Sequence, residues 1–179
     1  MSADAQYPVG RFEKPGAYTA TERAERIAIL AAMPAEVRAL TGGLGDKDLE
    51  RRYRPGGWNV REVVHHLGDS HLNAYLRTKF TLSEDTPRVM GYDQALWAQS
   101  ADYAEPVEMS LRLLEGLHQR WTVLLRAQPA EAFQRAMQHS EYGLMTLDHA
   151  LALYAWHARH HTAHLRLALS ASGVAGDGA

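Results

Sequence analysis

Four stretches of this sequence repeat apolar residues every three to four positions, the spacing that lines them up on one side of an α-helix. No stretch alternates apolar and polar residues as a half-buried strand would. Long amphipathic segments joined by glycine- and proline-containing connections favour an all-α fold, a four-helix bundle. The predicted helices span residues 19–42, 59–82, 107–126 and 146–172.

The starts of the first two helices carry clear signals. Thr19 with Glu22, and Asn59 with Glu62, have the spacing of a capping box, in which each side chain binds the backbone N–H of the other residue. Pro34 lies inside the first helix, where its missing N–H and its ring are expected to kink or split the helix.

The connection between the second and third helices is too long for a tight turn. Residues 83–105 contain Pro87 and Gly91, with one possible short helix at 93–98. A connection of that length in a bundle predicts a crossover. Residues 1–18 hold several prolines and glycines and are predicted to be an extended arm laid over a single domain, 1–179.

Composition excludes several classes of function. The 19 Lys and Arg residues nearly balance 21 Asp and Glu residues, so no positive field attracts nucleic acid or an anionic membrane. The absence of cysteine excludes disulfides, thiolate ligands and a cysteine nucleophile. No segment approaches the roughly 18 apolar residues of a membrane span, and the first residues do not resemble a secretion signal. We therefore expect a cytoplasmic protein that acts on a small molecule.

Histidine is the unusual residue of this chain, with ten copies concentrated in two of the predicted helices. In the fourth helix, His157 and His161 fall on the apolar stripe one turn apart, while His160 and His164 lie at its border. Two imidazoles one turn apart can hold one metal ion. Hydrogen-bonded core histidines are the competing interpretation. The lack of an obvious carboxylate beside them favours the metal.

A charged face accompanies the apolar stripe of the fourth helix. Asp148, Arg159 and Arg166 fall together on the helical wheel and are expected to be solvated.

A third ligand has to come from another helix, because catalytic zinc sites typically use three protein ligands and leave one position open. The second helix is the only other one with several histidines. Its apolar stripe contains His71, with His66 on the flank and His65 nearly opposite. Periodicity therefore favours His71.

Several motifs resemble the DinB/YfiT-like superfamily. The run GGWNVREVVHHL at 56–67, followed by DSH at 69–71, is similar to the second helix of that family. The run YAWHARHHTAH at 154–164 is similar to its fourth-helix H-x-x-x-H segment. The YPVG arm at 7–10 and HQRWT at 118–122 resemble the YfiT branch in particular. The resemblance covers nearly the whole chain.

The resemblance implies a DinB/YfiT-like four-helix bundle with a long crossover connection and a three-histidine site for a divalent metal, zinc or nickel. By matching position, the ligands are His66, His157 and His161. The implied activity is that of a metal-dependent hydrolase whose open metal position activates water, in a homodimer. Some relatives are bacillithiol or mycothiol transferases. The alternative is therefore an S-transferase that adds a low-molecular-weight thiol, as cosubstrate, to electrophiles.

Two residues are weak candidates for a general acid or base. Asp69 follows His66 by three positions and Tyr154 precedes His157 by three, so either can orient a ligand, although packing or solvation is the commoner role of such residues.

The sequence is also compatible with two other kinds of protein. One is a non-catalytic bundle in which a closed metal site fixes the helices for partner binding. The other is a di-iron protein built on the E-x-x-H motifs at 62–65 and 115–118, which is disfavoured because the fourth helix has no Glu.

Overall fold

The four predicted helices are the long helices of the structure, and they pack against one another as a bundle. The computed structural model describes residues 4–14, 16 and 18–170. Two additional helices of four residues each lie in the connections. In chain order the helices are α1 (Ala20–Thr41), α2 (Asp46–Leu49), α3 (Val60–Ser83), α4 (Gln94–Trp97), α5 (Glu108–Arg126) and α6 (Leu147–Ser170).

Both predicted capping boxes are present. The backbone N–H of Glu22 donates to Thr19 Oγ1 at 3.2 Å, and Glu22 accepts from the Thr19 N–H at 2.8 Å. Asn59 and Glu62 form the same reciprocal pair at 2.8 and 2.7 Å. These bonds satisfy N–H groups that a helix start would otherwise leave free, and they set the starts of α1 and α3.

Pro34 does not split α1, which continues through it. A proline inside a helix removes one hydrogen bond, here the one that residue 34 would donate to the carbonyl of Leu30. Pro34 is buried with Met33 and Val37 against the bundle core.

A small three-stranded sheet was not predicted. Strands β1 (Arg88–Val89) and β2 (Ala136–His139) are parallel, and β2 is antiparallel to β3 (Gly143–Thr146). Segments of two to four residues are too short for alternation to be visible in a sequence. Val89, Met137 and Met145 pack with Ala150 of α6, so the sheet covers the start of that helix.

The connection between α3 and α5 carries β1, α4 and a 3₁₀ helix (Ala101–Ala104), as expected for a long crossover. The described part of the N-terminal arm lies on α6, where the indole N–H of Trp156 donates to Gly10 O at 3.1 Å and the ring of Phe12 stacks on His149. The predicted end of the last helix, at residue 172, falls outside the described residues. Within those residues, no helix has the length and apolarity needed to cross a bilayer.

Asp148 is buried rather than solvated, contrary to the prediction from the helical wheel. Its carboxylate accepts two hydrogen bonds of 2.7 Å from the guanidinium of Arg23 and one of 2.8 Å from Gln134. The wheel could not show this because the partner cation lies on α1, far away in sequence. The pair connects the first and last helices of the bundle.

Replacing Arg23 with alanine is expected to lower the free energy of unfolding by about 3 to 5 kcal/mol, because it leaves the buried Asp148 carboxylate without its cation. Urea unfolding followed by circular dichroism measures the change. The matched control is Arg166→Ala, which breaks an exposed pair with Glu36 and should cost about 1 kcal/mol or less. Equal losses in the two variants would contradict the structural role of the Arg23–Asp148 pair.

Candidate metal centre

Three histidines from two helices meet on the wall of one cavity. His66 comes from α3, and His157 and His161 come from successive turns of α6. One ring nitrogen of each lies within 4.8 Å of the other two, and the Nε2 atoms of His66 and His157 are 3.2 Å apart. The structure thus brings together the three side chains that the resemblance implies.

The arrangement fits a divalent metal ion. With metal–nitrogen bonds of about 2.0–2.1 Å, two ligands of a tetrahedral site have nitrogens about 3.3 Å apart, close to the Nε2–Nε2 separation of His66 and His157. The donor set is three imidazoles without a carboxylate, which suits zinc and nickel. The Nδ1 atom of His66 is buried and has no hydrogen-bond partner among the described residues.

All three rings are neutral near pH 7. Burial, helped by the neighbouring His160, lowers the pKa of His66 to about 3. Burial and the adjacent histidines hold the pKa values of His157 and His161 well below the usual range. A neutral imidazole has a free lone pair, so the site needs no proton to leave before a cation binds.

The other two histidines of α3 are buried as well, although the wheel placed His65 nearly opposite the apolar stripe. His65 lies under the crossover, where its ring nitrogens are 2.8 Å from Ser110 Oγ and 3.0 Å from Glu105 O. His71 lies behind the site, with Nε2 3.1 Å from Nδ1 of His157. Periodicity favoured His71 as a ligand. In the structure, however, His71 contacts His157 through Nδ1, whereas the other ring nitrogen of His157, Nε2, lies next to His66.

The cavity has a volume of about 670 Å³, enough for a small-molecule substrate. Aromatic and polar side chains form its wall together with the three histidines. They include Tyr53, Trp58, Arg77, Tyr154, Trp156 and His160.

Comparison with known families decides the assignment. The sequence profile of the DinB superfamily matches residues 29–165, most of the chain. This chain belongs to the DinB superfamily. A relative from Halalkalibacterium halodurans, named as a candidate metal-dependent hydrolase, is 42% identical over 166 residues, which are 93% of this chain and 97% of the relative. YfiT from Bacillus subtilis carries the same description and is 40% identical over 92% of this chain and 93% of its own length.

The solved structure of Bacillus subtilis YfiT has the same fold. It superposes with a TM-score of 0.90 and 37% identity, covering 94% of this chain and 98% of YfiT. YfiT is described there as a probable metal-dependent hydrolase with an unusual four-helix bundle topology. The predicted DinB/YfiT-like bundle is therefore confirmed.

The two weak candidates for acid–base chemistry lie in different places in this DinB chain. The Tyr103 hydroxyl donates to the Asp69 carboxylate at 2.7 Å, and Asp69 is not among the residues that line the cavity. Tyr154 does line the cavity, and its oxygen accepts a hydrogen bond of 3.0 Å from Arg77. Burial raises the pKa of Tyr154, so its phenol keeps its proton.

A second histidine group is possible within α6 itself. His160, His161 and His164 are all buried and also offer ring nitrogens within 4.8 Å of one another. The ring of His164 stacks on Tyr53 with centroids 3.8 Å apart, and that of His160 stacks on Trp156 at 4.4 Å. His161 belongs to both groups. Two ions, one bound to each group, would therefore compete for the same ring.

Sequence reasoning missed Arg77. Its side chain is buried, lines the cavity, and donates to Tyr154 and to the carbonyl of Met90, yet it forms no ion pair with any carboxylate in the described part of the chain. Arg77 lies three helical turns after His66, so the two share a face of α3, and that spacing was a usable signal.

The acidic residues of the E-x-x-H motifs lie elsewhere, with Glu62 capping α3 and Glu115 paired with Arg38.

Proposed function

We propose that this protein is a metal-dependent hydrolase of the DinB/YfiT type, which holds one divalent cation, zinc or nickel, on His66, His157 and His161. The observation that carries the proposal is the convergence of these neutral imidazoles on the wall of a cavity large enough for a substrate. Relatives at about 40% identity that are named as candidate metal-dependent hydrolases support the same class of reaction.

The chain contributes a fixed, neutral donor set. A divalent cation bound there would act as a Lewis acid and lower the pKa of a water molecule towards neutrality. Neutral histidines leave the charge of such an ion uncompensated, whereas carboxylate ligands would reduce it. Trp58 packs on the ring of His66 with centroids 4.6 Å apart and limits the directions in which that ring can turn.

Tyr154 and Arg77 supply polar groups for the substrate. Arg77 donates to the Tyr154 oxygen, and the phenol also hydrogen-bonds the Ser70 side chain, so an oxygen of the substrate would compete with Ser70 for the phenol proton. The buried guanidinium, which lacks an acidic partner among the described residues, favours a substrate region that carries negative charge in its reacting form. We assign no catalytic role to Asp69, which faces Tyr103.

The reaction can be tested with purified protein loaded with zinc or nickel and a panel of activated esters, lactones and amides. We expect hydrolysis in the absence of any thiol, loss of turnover after a chelator, and recovery when the metal is restored. His161→Ala should lose at least about 100-fold in turnover, since even residues that only support a ligand cost 10- to 100-fold. His65→Ala is the matched control, because His65 is a buried histidine of α3 outside the cavity wall.

Each other outcome selects another function. Turnover of electrophiles that depends on an added low-molecular-weight thiol would replace hydrolysis with S-transfer. If the protein binds one metal ion per chain but shows no turnover with or without a thiol, a non-catalytic bundle that the metal merely stabilises would be favoured.

A further inference from the structure

A row of three imidazoles leads from the candidate metal site to the backbone of α1. Nδ1 of His157 is 3.1 Å from Nε2 of His71, and Nδ1 of His71 is 2.9 Å from Nε2 of His118. Nδ1 of His118 is 2.6 Å from the carbonyl oxygen of Leu30. Each pair of successive rings is therefore joined by one nitrogen from each ring, and the second nitrogen of the last ring contacts a peptide carbonyl.

The backbone carbonyl fixes the direction of every hydrogen bond in this row. A carbonyl oxygen only accepts, so the proton of His118 has to be on Nδ1. A neutral imidazole has a single N–H, which makes Nε2 of His118 an acceptor and puts the proton of His71 on its Nδ1. The same reasoning repeated at His71 puts the proton of His157 on Nδ1.

The consequence appears at the candidate metal site. With its proton on Nδ1, His157 presents a free lone pair on Nε2, the atom that lies 3.2 Å from Nε2 of His66. The opposite tautomer would place a proton on the nitrogen that a cation needs. The row thus selects the tautomer of His157 that can bind a metal.

The carbonyl that ends the row is available because of a proline. In α1 the oxygen of Leu30 would normally accept from the N–H of residue 34, and residue 34 is proline, which has none. His118 Nδ1 takes the place of that missing donor. His71 and His118 are 0% and 2% exposed, so water does not compete for their ring nitrogens. Trp121 and Tyr154 pack edge-on against His71 and hold its ring in place.

We infer that His71 and His118 are positioning residues that set the tautomer of His157 for metal binding, with the Leu30 carbonyl as the fixed end of the row. The role in metal binding rests on the function proposed above. The tautomers themselves do not, because they follow from hydrogen bonds within the chain. Such supporting hydrogen bonds typically change metal affinity by 10- to 100-fold when they are removed.

The tautomers can be read directly. Nitrogen NMR of protein labelled with ¹⁵N-histidine, without metal and near pH 7.5, should show protonated Nδ1 and unprotonated Nε2 for His71, His118 and His157. Single substitutions assign the signals. A proton on Nε2 of His157 in this sample would overturn the inference.

The effect on binding is tested with zinc and a competing chromophoric chelator. His118→Leu should bind zinc about 10- to 100-fold more weakly, since His71 and His157 are then free to adopt the other tautomer. His118→Gln can both accept from His71 and donate to Leu30 O, so it should restore affinity to within a few-fold of wild type. The control is His65→Leu, which removes a buried histidine of α3 outside the row.

The outcomes separate this inference from the proposed function. Unchanged zinc affinity in His118→Leu, or an equal loss in His65→Leu, would overturn the positioning role. If wild-type protein binds neither zinc nor nickel, the proposed function fails and the binding role of the row fails with it, whereas the spectra of metal-free protein still decide the tautomers.

Discussion

Replacing His66 with alanine is expected to abolish stoichiometric zinc binding, whereas His164→Ala is expected to leave it nearly unchanged. His66 belongs only to the group that spans α3 and α6, and His164 only to the group confined to α6. The shared residue His161 cannot distinguish the two groups, because its loss would disable both. Comparing the two single variants therefore identifies which group binds the ion.

The group that spans two helices is favoured for two physical reasons. Both groups line the same cavity, but His157, whose tautomer is set by its neighbour His71, belongs to the spanning group alone. In the other group, His160 and His164 are engaged in ring stacking with Trp156 and Tyr53. A ring that rotates to bind a metal there would lose part of that packing.

Elemental analysis after dialysis, with zinc titration against a chelator, measures the difference between the variants. His66→Ala should weaken binding by more than about 100-fold, beyond the usual effect of a residue that only supports a ligand. Circular dichroism checks that both variants remain helical. Retention of zinc by His66→Ala together with its loss in His164→Ala would move the site to the group within α6.

The second large effect concerns acid. Metal-free protein is expected to lose stability steeply as the pH falls below about 6.5, the usual pKa of histidine in an unfolded chain. Burial lowers the pKa of all ten histidines in the folded protein. Five of them form the three-histidine group and the row behind it, where the pKa is lowered to about 3 for His66 and about 4 for His118. The five are His66, His71, His118, His157 and His161.

The stability falls with pH because the two states differ in proton uptake. Above pH 6.5 these groups are neutral in both states and carry no penalty. Between pH 6.5 and the lowered pKa values, the unfolded chain binds protons that the folded chain does not bind, so acid favours unfolding. Each proton that only the unfolded chain binds costs about 1.4 kcal/mol per pH unit, so these five groups together cost about 10 kcal/mol at pH 5, comparable with the roughly 5–15 kcal/mol that stabilises a typical domain.

Urea unfolding of metal-free protein at pH 7.5, 6.0 and 5.0 gives the slope of stability against pH. We expect little change above 6.5 and a loss of several kcal/mol between 6.0 and 5.0. His118→Gln removes one of the five groups and should lower the slope by the equivalent of one proton. Constant stability down to pH 5 would mean that the buried rings accept protons in the folded state.

Local patterns in the sequence predicted the helices well. Apolar periodicity located the four long helices, and the Thr19–Glu22 and Asn59–Glu62 pairs located two of their starts, because a helix is built from contacts three or four residues apart. The short strands escaped notice because pairing between β1 and β2 depends on segments nearly fifty residues apart. No local signal reports that kind of contact.

The candidate site shows the same division. Spacing within α6 was enough to pair His157 with His161, since residues one turn apart share a face. Helical spacing on α3 favoured His71 over His66, and only the family resemblance pointed to His66. In the structure, His66 lies beside His157 and His161, and His71 lies behind His157 and contacts its Nδ1 atom.

Amino-acid order therefore determined the four long helices, the capped starts of two of them and the face on which His157 and His161 lie, since these depend on backbone geometry over a few residues. Tertiary packing decided the rest. It brought His66 next to His157 and His161, buried Asp148 against Arg23 and joined His118 to the Leu30 carbonyl, which Pro34 leaves without its usual helical donor. Those choices depend on how the helices turn and shift against one another, which the whole core decides at once.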